Sequence, residues 1–360
     1  MIAVSVNLPG ARYEITVNPG LLATAGRRVQ ALLGADRAAV ITDSNVAPTH
    51  LPVLLKSLED ARMSAIPVTI PAGEEHKHLG TVDAICDNLL AARVDRSTPV
   101  ICLGGGVVTD MGGFVAATLL RGVPLVHVPT SLLAMVDASI GGKTGVNQSR
   151  GKNLIGAFYQ PHAVLIDPNL LQTLPPDELR NGLAECIKHA LICDEDGFLR
   201  LERAIDRALA LDIPFLTELV GHNVAIKARV VQVDPFERDH RAHLNFGHTF
   251  GHAFEWATHY AIPHGQAVAL GMVAAAFTSV KMKLLPQASF DRIVTLISRA
   301  GLPTRGLQVP LDLILEAMRK DKKITAGRAR FILLDRIGHS IIRDDVPEPL
   351  IRDAVESLRG

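Results

Sequence analysis

The chain has 360 residues, of which 48% are hydrophobic and only 4% aromatic, which favours two domains with aliphatic α/β packing over a β-sandwich. Lys and Arg together number 37, as do Asp and Glu, so the formal net charge is zero. This balance excludes a global basic field for nucleic acid, and any anionic ligand must be held by local cations.

The cysteines and the N-terminus indicate where the protein works. The four cysteines, Cys86, Cys102, Cys186 and Cys193, form no CxxC pair and lie among apolar residues, as free thiols in a reducing cytosol do. Residues 1–8 alternate like a strand and lack the features of a signal peptide. No stretch reaches the roughly 18 unbroken apolar residues of a membrane helix. We expect a cytoplasmic protein with neither a membrane nor a nucleic-acid partner.

In the first half, short apolar runs alternate with amphipathic stretches of helix length. The runs that predict strands are 38–41, 65–70, 99–103, 125–128 and 163–166, and helices are predicted at 46–62 and 79–93. This alternation predicts a Rossmann-like α/β domain with a parallel sheet, in which ligands bind beyond the carboxyl ends of the strands.

After about Leu174 the predicted elements are mainly helices. Helices are predicted at 177–192, 198–211, 216–233, 249–258, 266–283 and 290–300, and a late ribbon at 329–334 with 340–343. We therefore expect residues 1–174 to form the α/β domain and residues 175–360 to form a mainly helical one.

Gly104, Gly105 and Gly106 follow a predicted strand and open a helix. Glycines let the backbone approach a phosphate, and the helix N-terminus favours an anion. A triple glycine alone is equally typical of a structural turn, but Asp110, one turn into the helix, can bind a ribose or an amide. Asp43 at an earlier strand end is a second ribose candidate. The loop 71–77 follows another strand and is typical of a ligand loop or of a solvated helix cap.

A second group of motifs places cations on glycine-rich loops. Asp137 precedes Gly141-Gly142-Lys143, and Lys152-Asn153 follows Gly151. Packing explains such lysines poorly, although a solvated loop stays possible. Further cations that could serve a doubly anionic substrate are Arg121, Lys227, Arg241, Lys322 and Lys323.

Histidines and one glutamate form a candidate metal site. His248 and His252 are four residues apart and share a helix face, His264 precedes another helix, and Glu185 shares a face with Lys188. Two histidines and a carboxylate would leave a coordination position for substrate oxygens. Spacing leaves open which two of the three histidines bind.

In combination, these motifs resemble the 3-dehydroquinate synthase family nearly from end to end. The segments that carry the resemblance are 104–110 with 113–114, 121–122, 128–130, 137–147, 151–158, 185–188, 241 with 244–252, 264–265 and 321–323. The resemblance implies a homodimer that uses NAD and Zn²⁺, or Co²⁺, to convert 3-deoxy-D-arabino-heptulosonate 7-phosphate to 3-dehydroquinate and phosphate. The implied steps are transient oxidation by NAD, phosphate elimination, re-reduction, ring opening and intramolecular aldol closure.

The resemblance also implies a role for individual residues. The implied metal ligands are Glu185, His248 and His264, with His252 as a neighbour on the substrate side. The residues implied around NAD are Asp43, Glu74, Lys77, Gly105, Gly106, Asp110, Thr130, Ser131, Lys143 and Lys152. Those implied around the substrate are Arg121, Asp137, Lys143, Lys152, Asn153, Lys188, Lys227, Arg241, Asn245, His252 and Lys322.

Two departures from the family pattern and three alternatives accompany this interpretation. Gln266 stands where the family usually has Glu, which we expect to weaken the hydrogen bonds behind the metal, and the usual glycine before Arg241 is missing. The alternatives are a cyclase acting on a heptulose 7-phosphate, a metal-dependent alcohol dehydrogenase and a silent NAD-binding scaffold. The unbroken motifs at 152–158 and 321–323 favour the synthase over the cyclase. The dehydrogenase needs fewer cations, and the complete metal and lysine sets disfavour the scaffold.

Overall fold

A computed structural model describes residues 1–320, 324–325 and 328–359. The chain forms two compact units, the first made of Met1–Pro175 and Ile213–Phe236, and the second of residues 176–212 and the described residues from 237 onward. None of the described helices combines the length and the apolarity that crossing a membrane would require.

The first unit is built on a seven-stranded sheet in the order β1-β2-β9-β6-β5-β3-β4. Its strands are β1 (Ile2–Leu8), β2 (Ala11–Val17), β3 (Arg37–Asp43), β4 (Ser64–Ile70), β5 (Val100–Gly104), β6 (Leu125–Pro129) and β9 (Ala163–Ile166). β1 and β2 are antiparallel, and the other pairs are parallel. All residues of β5, β6 and β9 are buried, as expected for strands covered on both faces. The predicted parallel sheet is confirmed.

The helices of the first unit are α1 (Ala25–Leu33), α2 (Ala47–Asp60), α3 (Leu79–Ala91), α4 (Gly106–Thr118) and α7 (Ile213–Val233). From β3 the chain proceeds outward to β4, and it then returns to β5 on the other side of β3 and continues to β6 and β9. The strand order therefore reverses between β3 and β5, and the crevice at such a reversal is where open α/β sheets bind ligands. Asp43 is the last residue of β3, and Gly104 is the last residue of β5. The predicted cofactor residues Asp43 and Gly105 therefore lie at the carboxyl ends of the two strands between which the order reverses.

Helix α7 belongs to the sheet-containing unit, whereas the sequence prediction assigned residues 213–236 to the helical half. The reason is its packing on β1. A Cβ atom at Gly221 would lie only 2.4 Å from Ile2 Cδ1, so the helix backbone comes very close to the strand. The Asn7 N–H also donates to Gln232 Oε1 at 2.9 Å.

The segment that carries Lys143 and Lys152 forms a β-hairpin, so the prediction of loops was wrong there. β7 (Lys143–Gln148) pairs antiparallel with β8 (Gly151–Phe158). A Cβ atom at Gly156 would lie 2.0 Å from the Thr144 carbonyl oxygen, and one at Gly145 would lie 2.6 Å from that of Ile155. Because these two glycines have no side chain, the two strands can approach each other closely.

The second unit is mainly helical, as predicted. Its elements are α5 (Pro176–Cys193), α6 (Glu195–Leu209), α8 (His248–Ala257), α9 (His264–Lys281), α10 (Gln287–Arg299), α11 (Leu311–Lys320), α12 (Glu348–Glu356) and the ribbons β10 (Ile324–Thr325) with β11 (Arg328–Ala329) and β12 (Phe331–Arg336) with β13 (His339–Arg343). A Cβ atom at Gly271 would lie 2.0 Å from the Gly247 carbonyl oxygen, and one at Gly265 would lie 2.4 Å from Asn181 Cα. Glycines on α9 thus allow it to pack closely against the start of α8 and against α5, which carries Glu185.

Candidate active site

The three glycines after β5 are not equivalent. A Cβ atom at Gly104 would lie 2.6 Å from the Val108 side chain, whereas at Gly105 and Gly106 the nearest atoms would be 3.4 Å and 3.7 Å away. Neither Gly105 nor Gly106 has a positive φ. Packing therefore explains Gly104 but not the other two, which leave the N–H groups of the first turn of α4 accessible to an anion.

Lys77 connects three of the predicted site residues. Its ammonium donates to Asp110 Oδ2 and to Asn153 Oδ1, both at 2.6 Å, and lies 4.0 Å from Glu74 Oε1. Burial lowers the pKa of Lys77, but the carboxylates of Asp110 and Glu74 outweigh this effect and raise it above its ordinary value. Burial also raises the pKa of Asp110, against the opposing effect of Lys77. The polar groups near the start of α4 are thus held in one network.

Asn147 ties this network to the hairpin, and the sequence analysis did not select it. Its backbone N–H donates to the Lys77 carbonyl at 2.8 Å, and its amide Nδ2 donates to Glu74 Oε1 at 2.8 Å. Its Oδ1 accepts from the Asn153 N–H at 2.9 Å. Asn153 itself has a φ of 53°, so these bonds hold a conformation that few residue types adopt.

Other predicted residues of the first unit lie at strand ends. Thr130 and Ser131 directly follow β6, and the Thr130 N–H donates to the Gly104 carbonyl at 3.0 Å. Asp43 Oδ1 accepts from the Asn45 and Val46 N–H groups at 2.9 Å and 3.0 Å. The position predicted to bind a ribose therefore also caps the turn before α2.

Asp137 and Lys227 form an ion pair within the first unit. Asp137 lies in a π-helical turn, Ala134–Ala138, a local irregularity that frequently accompanies functional sites. Lys227 comes from α7, so this helix brings one predicted substrate cation beside another predicted residue, Asp137.

The remaining cations of the first unit are more accessible. Lys143 is exposed at the start of β7, and Lys152 is half-buried on β8. Arg121 is exposed and has a φ of 68°, and its side chain makes no hydrogen bond or ion pair with the described residues. No side-chain contact among the described residues therefore links Arg121 to the other predicted site residues.

In the second unit, Glu185, His248 and His264 form a cluster whose ligand atoms all lie within 4.8 Å of one another. Glu185 Oε1 lies 3.5 Å from His248 Nε2 and 3.4 Å from His264 Nε2. Ligand atoms bound at about 2.0–2.1 Å to a tetrahedral zinc ion are about 3.4 Å apart. Two imidazoles and one carboxylate at this spacing fit a zinc-type ion with a position left for a further ligand.

Each of these three residues has a second polar atom, outside the contacts just given, that also has a polar or charged neighbour. His248 Nδ1 lies 3.2 Å from the Phe246 carbonyl oxygen, and His264 Nδ1 lies 3.5 Å from Glu255 Oε2. Glu185 Oε2 is ion-paired with Lys188. Partners of this kind orient metal ligands.

The protonation of the cluster follows from burial and charge. Burial raises the pKa of the Glu185 carboxyl, but Lys188 and the two histidines hold it well below its usual range. Burial and the Lys188 charge hold the pKa of His248 well below its usual value. Burial lowers the pKa of His264, but hydrogen bonds to Glu185 and Glu255 outweigh this effect and raise it to about 9.

The remaining predicted residues of the second unit lie outside the set of possible metal ligands. The His252 ring lies 5.3 Å from that of His248 and 6.3 Å from that of His264, outside the ligand set. Arg241 is 1% exposed, which is rare for a cation without a function or a partner. Asn245 Nδ2 donates to Glu237 Oε1 at 2.9 Å. Lys322 lies outside the described residues.

Glu255 is the most notable residue that the sequence analysis missed. It is 2% exposed and lies on α8. A signal was present, because Glu255 follows His248 by seven residues and a spacing of seven places two side chains on one helix face. The first unit thus has a strand end that could accept an anion and buried cations, and the second unit has a cluster that could hold a metal ion.

Comparison with known proteins identifies the family. Residues 67–181 match the family model of the 3-dehydroquinate synthase N-terminal region, and residues 182–324 match that of the C-terminal region. The chain is 46% identical to the 3-dehydroquinate synthase of a Synechococcus species over 99% of both chains. It is 45% identical to that of Acidithiobacillus ferrooxidans, over 99% of this chain and 98% of the relative.

Solved structures with the same fold include enzymes that carry cofactors. A 2-epi-5-epi-valiolone synthase from Streptomyces hygroscopicus with NAD⁺ and Zn²⁺ bound has a TM-score of 0.91 and 31% identity, over 98% of both chains. A 2-deoxy-scyllo-inosose synthase complexed with carbaglucose-6-phosphate, NAD⁺ and Co²⁺ has a TM-score of 0.91 and 26% identity, over 99% of both chains. An alcohol dehydrogenase from Oenococcus oeni, 13% identical with a TM-score of 0.70 over 99% of both chains, shares the fold alone. Since the family models span more than half of the sequence and the relatives match it nearly from end to end, the chain belongs to the 3-dehydroquinate synthase family.

Proposed function

We propose that this protein converts 3-deoxy-D-arabino-heptulosonate 7-phosphate to 3-dehydroquinate and phosphate, with NAD and a zinc or cobalt ion as cofactors. The observation that supports this most directly is the cluster of Glu185, His248 and His264 in a chain of this family, with ligand atoms within 4.8 Å of one another. When bound, NAD would supply reversible hydride acceptance, and the metal ion would polarise a substrate hydroxyl.

In this proposal the first unit binds NAD. Gly105 and Gly106 would let the pyrophosphate approach the N-terminus of α4, because their missing side chains leave room there. The residues proposed around the remainder of the cofactor are Asp43, Glu74, Lys77, Asp110, Thr130, Ser131, Lys143 and Lys152. The buried Lys77–Asp110 pair would keep the Asp110 carboxylate in a fixed position as a hydrogen-bond acceptor.

The substrate carries a carboxylate and a phosphate, so it requires several cations. Lys143, Lys152, Lys188, Lys227, Arg121, Arg241 and Lys322 are the proposed set, and Asp137, Asn153, Asn245 and His252 are the proposed polar contacts. Charge that develops on the departing phosphate would be stabilised by fixed ammonium and guanidinium groups. Arg suits bidentate contacts to an oxyanion, whereas Lys acts as a point charge or a proton donor.

Lys188 has a second task in this proposal. Its ion pair with Glu185 Oε2 leaves Oε1, which lies near both histidine Nε2 atoms, for the metal ion. The lysine would therefore fix the carboxylate in a one-oxygen binding mode. We also propose that the protein acts as a cytoplasmic homodimer, which is the family expectation and agrees with free cysteines.

Phosphate release from the heptulosonate phosphate with catalytic amounts of NAD tests the proposal. We expect one phosphate per 3-dehydroquinate and no net accumulation of NADH, since the hydride returns to the substrate. Net NADH would indicate a dehydrogenase. Activity only on a heptulose 7-phosphate would indicate a related cyclase, and no turnover of any of these substrates would contradict an enzymatic role.

A further inference from the structure

The two histidines of the metal cluster have different partners behind them. His248 Nδ1 lies 3.2 Å from the backbone carbonyl oxygen of Phe246, which is neutral. His264 Nδ1 lies 3.5 Å from Glu255 Oε2, a carboxylate on a side chain that is 3% exposed. His248 therefore has a neutral carbonyl group next to its Nδ1, whereas His264 has a buried carboxylate next to its Nδ1.

With a metal ion bound at Nε2, this arrangement would set the tautomer of His264. A ring N–H directed from Nδ1 to Glu255 leaves the lone pair on Nε2, and Nε2 is the atom that lies 3.4 Å from Glu185 Oε1. A carboxylate behind an imidazole also raises the basicity of that ligand.

The negative charge of Glu255 adds to the effect of its contact with His264. Glu185 is the only carboxylate of the cluster within the described residues, and its charge is balanced by the buried ammonium of Lys188. Glu255 places a second buried carboxylate on the far side of His264, in surroundings where burial weakens screening by water.

We propose that Glu255 is a positioning residue for the metal centre, which orients His264 and, as a buried carboxylate behind its ring, strengthens the binding of a divalent ion. The inference rests on the proposed function, because it assumes that Glu185, His248 and His264 bind the ion. It goes beyond that function by assigning part of the metal affinity to a residue outside the ligand set.

Glu255→Gln is the deciding variant, since the amide has nearly the same volume and keeps one acceptor oxygen while it removes the charge. Glu255→Asp keeps the charge on a shorter side chain. Asp335→Asn is the matched control, because Asp335 Oδ1 lies 2.8 Å from Nδ1 of His339 in the same unit but outside the metal cluster.

Zinc affinity is measured on the full chain by competition with a chromophoric chelator, alongside the visible spectrum of the Co²⁺-loaded protein and the unfolding temperature of the metal-free protein. Loss of such an outer partner weakens metal binding by about 10- to 100-fold. We expect a loss of that size in Glu255→Gln with a shifted cobalt spectrum, partial recovery in Glu255→Asp, and wild-type affinity in Asp335→Asn.

Equal zinc affinity and equal cobalt spectra for wild type and Glu255→Gln would overturn the inference while leaving the proposed function intact. Equal losses in the Gln and Asp variants, matched by equal losses in the stability of the metal-free protein, would overturn it in favour of a packing role. A wild-type protein that binds no zinc would overturn both proposals.

Discussion

Lys77 and Asp110 form a buried ion pair, with Nζ 2.6 Å from Oδ2. The lysine side chain is 4% exposed and the aspartate side chain 18% exposed, so the charge of either group depends on the other. Replacing Lys77 with Met leaves a poorly solvated carboxylate without its partner, which typically costs about 3–5 kcal/mol. We expect a lower unfolding temperature for the first unit and weaker NAD binding.

Lys56→Met is the control for this pair. Lys56 also forms ion pairs, with Glu59 and Asp60, but its side chain is 65% exposed. Because water already screens those charges, we expect no measurable change in unfolding temperature or NAD affinity. A Lys77→Met protein as stable as the wild type would show that the buried pair does not support the fold.

Gly105→Ala should separate cofactor binding from stability. The new Cβ would meet its nearest atom at 3.4 Å, which the fold can accommodate, but it would occupy space that we assign to NAD. We expect NAD affinity to fall by about tenfold or more, the effect of a steric clash worth roughly 1.4 kcal/mol, with an unchanged unfolding temperature. Gly104→Ala should instead lower the unfolding temperature, because its Cβ would lie 2.6 Å from Val108. The measurements are NAD titration by fluorescence and thermal unfolding, and an equal effect of the two variants on both would contradict the assignment.

Lys152→Ala should lower turnover while the fold stays intact. Lys152 is half-buried on β8, and the loss of one fixed donor that stabilises developing charge lowers kcat by about 10²- to 10³-fold. The matched change is Arg150→Ala, which removes an exposed cation from the turn of the same hairpin. Steady-state phosphate release measures both, and a Lys152→Ala enzyme with wild-type kcat would remove this lysine from the proposed site.

Removal of the metal ion should abolish turnover reversibly. We expect dialysis against a chelator to eliminate phosphate release, and stoichiometric Zn²⁺ or Co²⁺ to restore it, because in the proposed function the ion held by this cluster polarises the substrate hydroxyl. Metal content by mass spectrometry accompanies each rate. Full activity in protein that contains no metal would refute the site formed by Glu185, His248 and His264.

His127 on β6 should make the first unit sensitive to acid. Burial lowers its pKa to about 3, whereas an unfolded histidine titrates near 6.5. Below that value the unfolded chain binds a proton that the folded chain does not, so stability falls as the pH decreases, by at most about 1.4 kcal/mol per pH unit.

His127→Leu tests this sign. Between pH 7.5 and 5, the wild type should lose about 2 kcal/mol more stability than the variant, measured as the shift of the urea midpoint. His259→Asn, at an exposed position, should follow the wild type. Parallel pH profiles of wild type and His127→Leu would exclude a buried neutral histidine.

The sequence predicts the sheet well because strands buried on both faces form continuous apolar runs. It predicts β5 and the turn at Gly104 for this reason, but it does not reveal β2. It also suggests loops where β7 and β8 form a hairpin, since glycines that bring two strands together resemble glycines that bend a loop. The distinction requires knowing which carbonyl oxygen faces each glycine.

Side-chain partners that are distant in sequence were hardest to predict. The three-dimensional structure places Glu185 beside His248 and His264, a set for which spacing alone left the histidines open. The sequence does not indicate roles for Asn147 and Glu255, because these roles depend on contacts with side chains of other elements. A local pattern can place Glu255 on the helix face of His248, but it does not show which side chain from another element lies beside it.

Helix α7 has a consequence for how the gene can be divided. The polypeptide leaves the first unit at residue 175, builds α5 and α6, and then returns to cover β1 before it leaves again at residue 236. A fragment that stops at residue 175 would expose the apolar residues that α7 normally shields and would be prone to aggregate. An exchange of units between relatives therefore needs three crossovers, and a nascent chain cannot complete its first unit until part of its second has been synthesised.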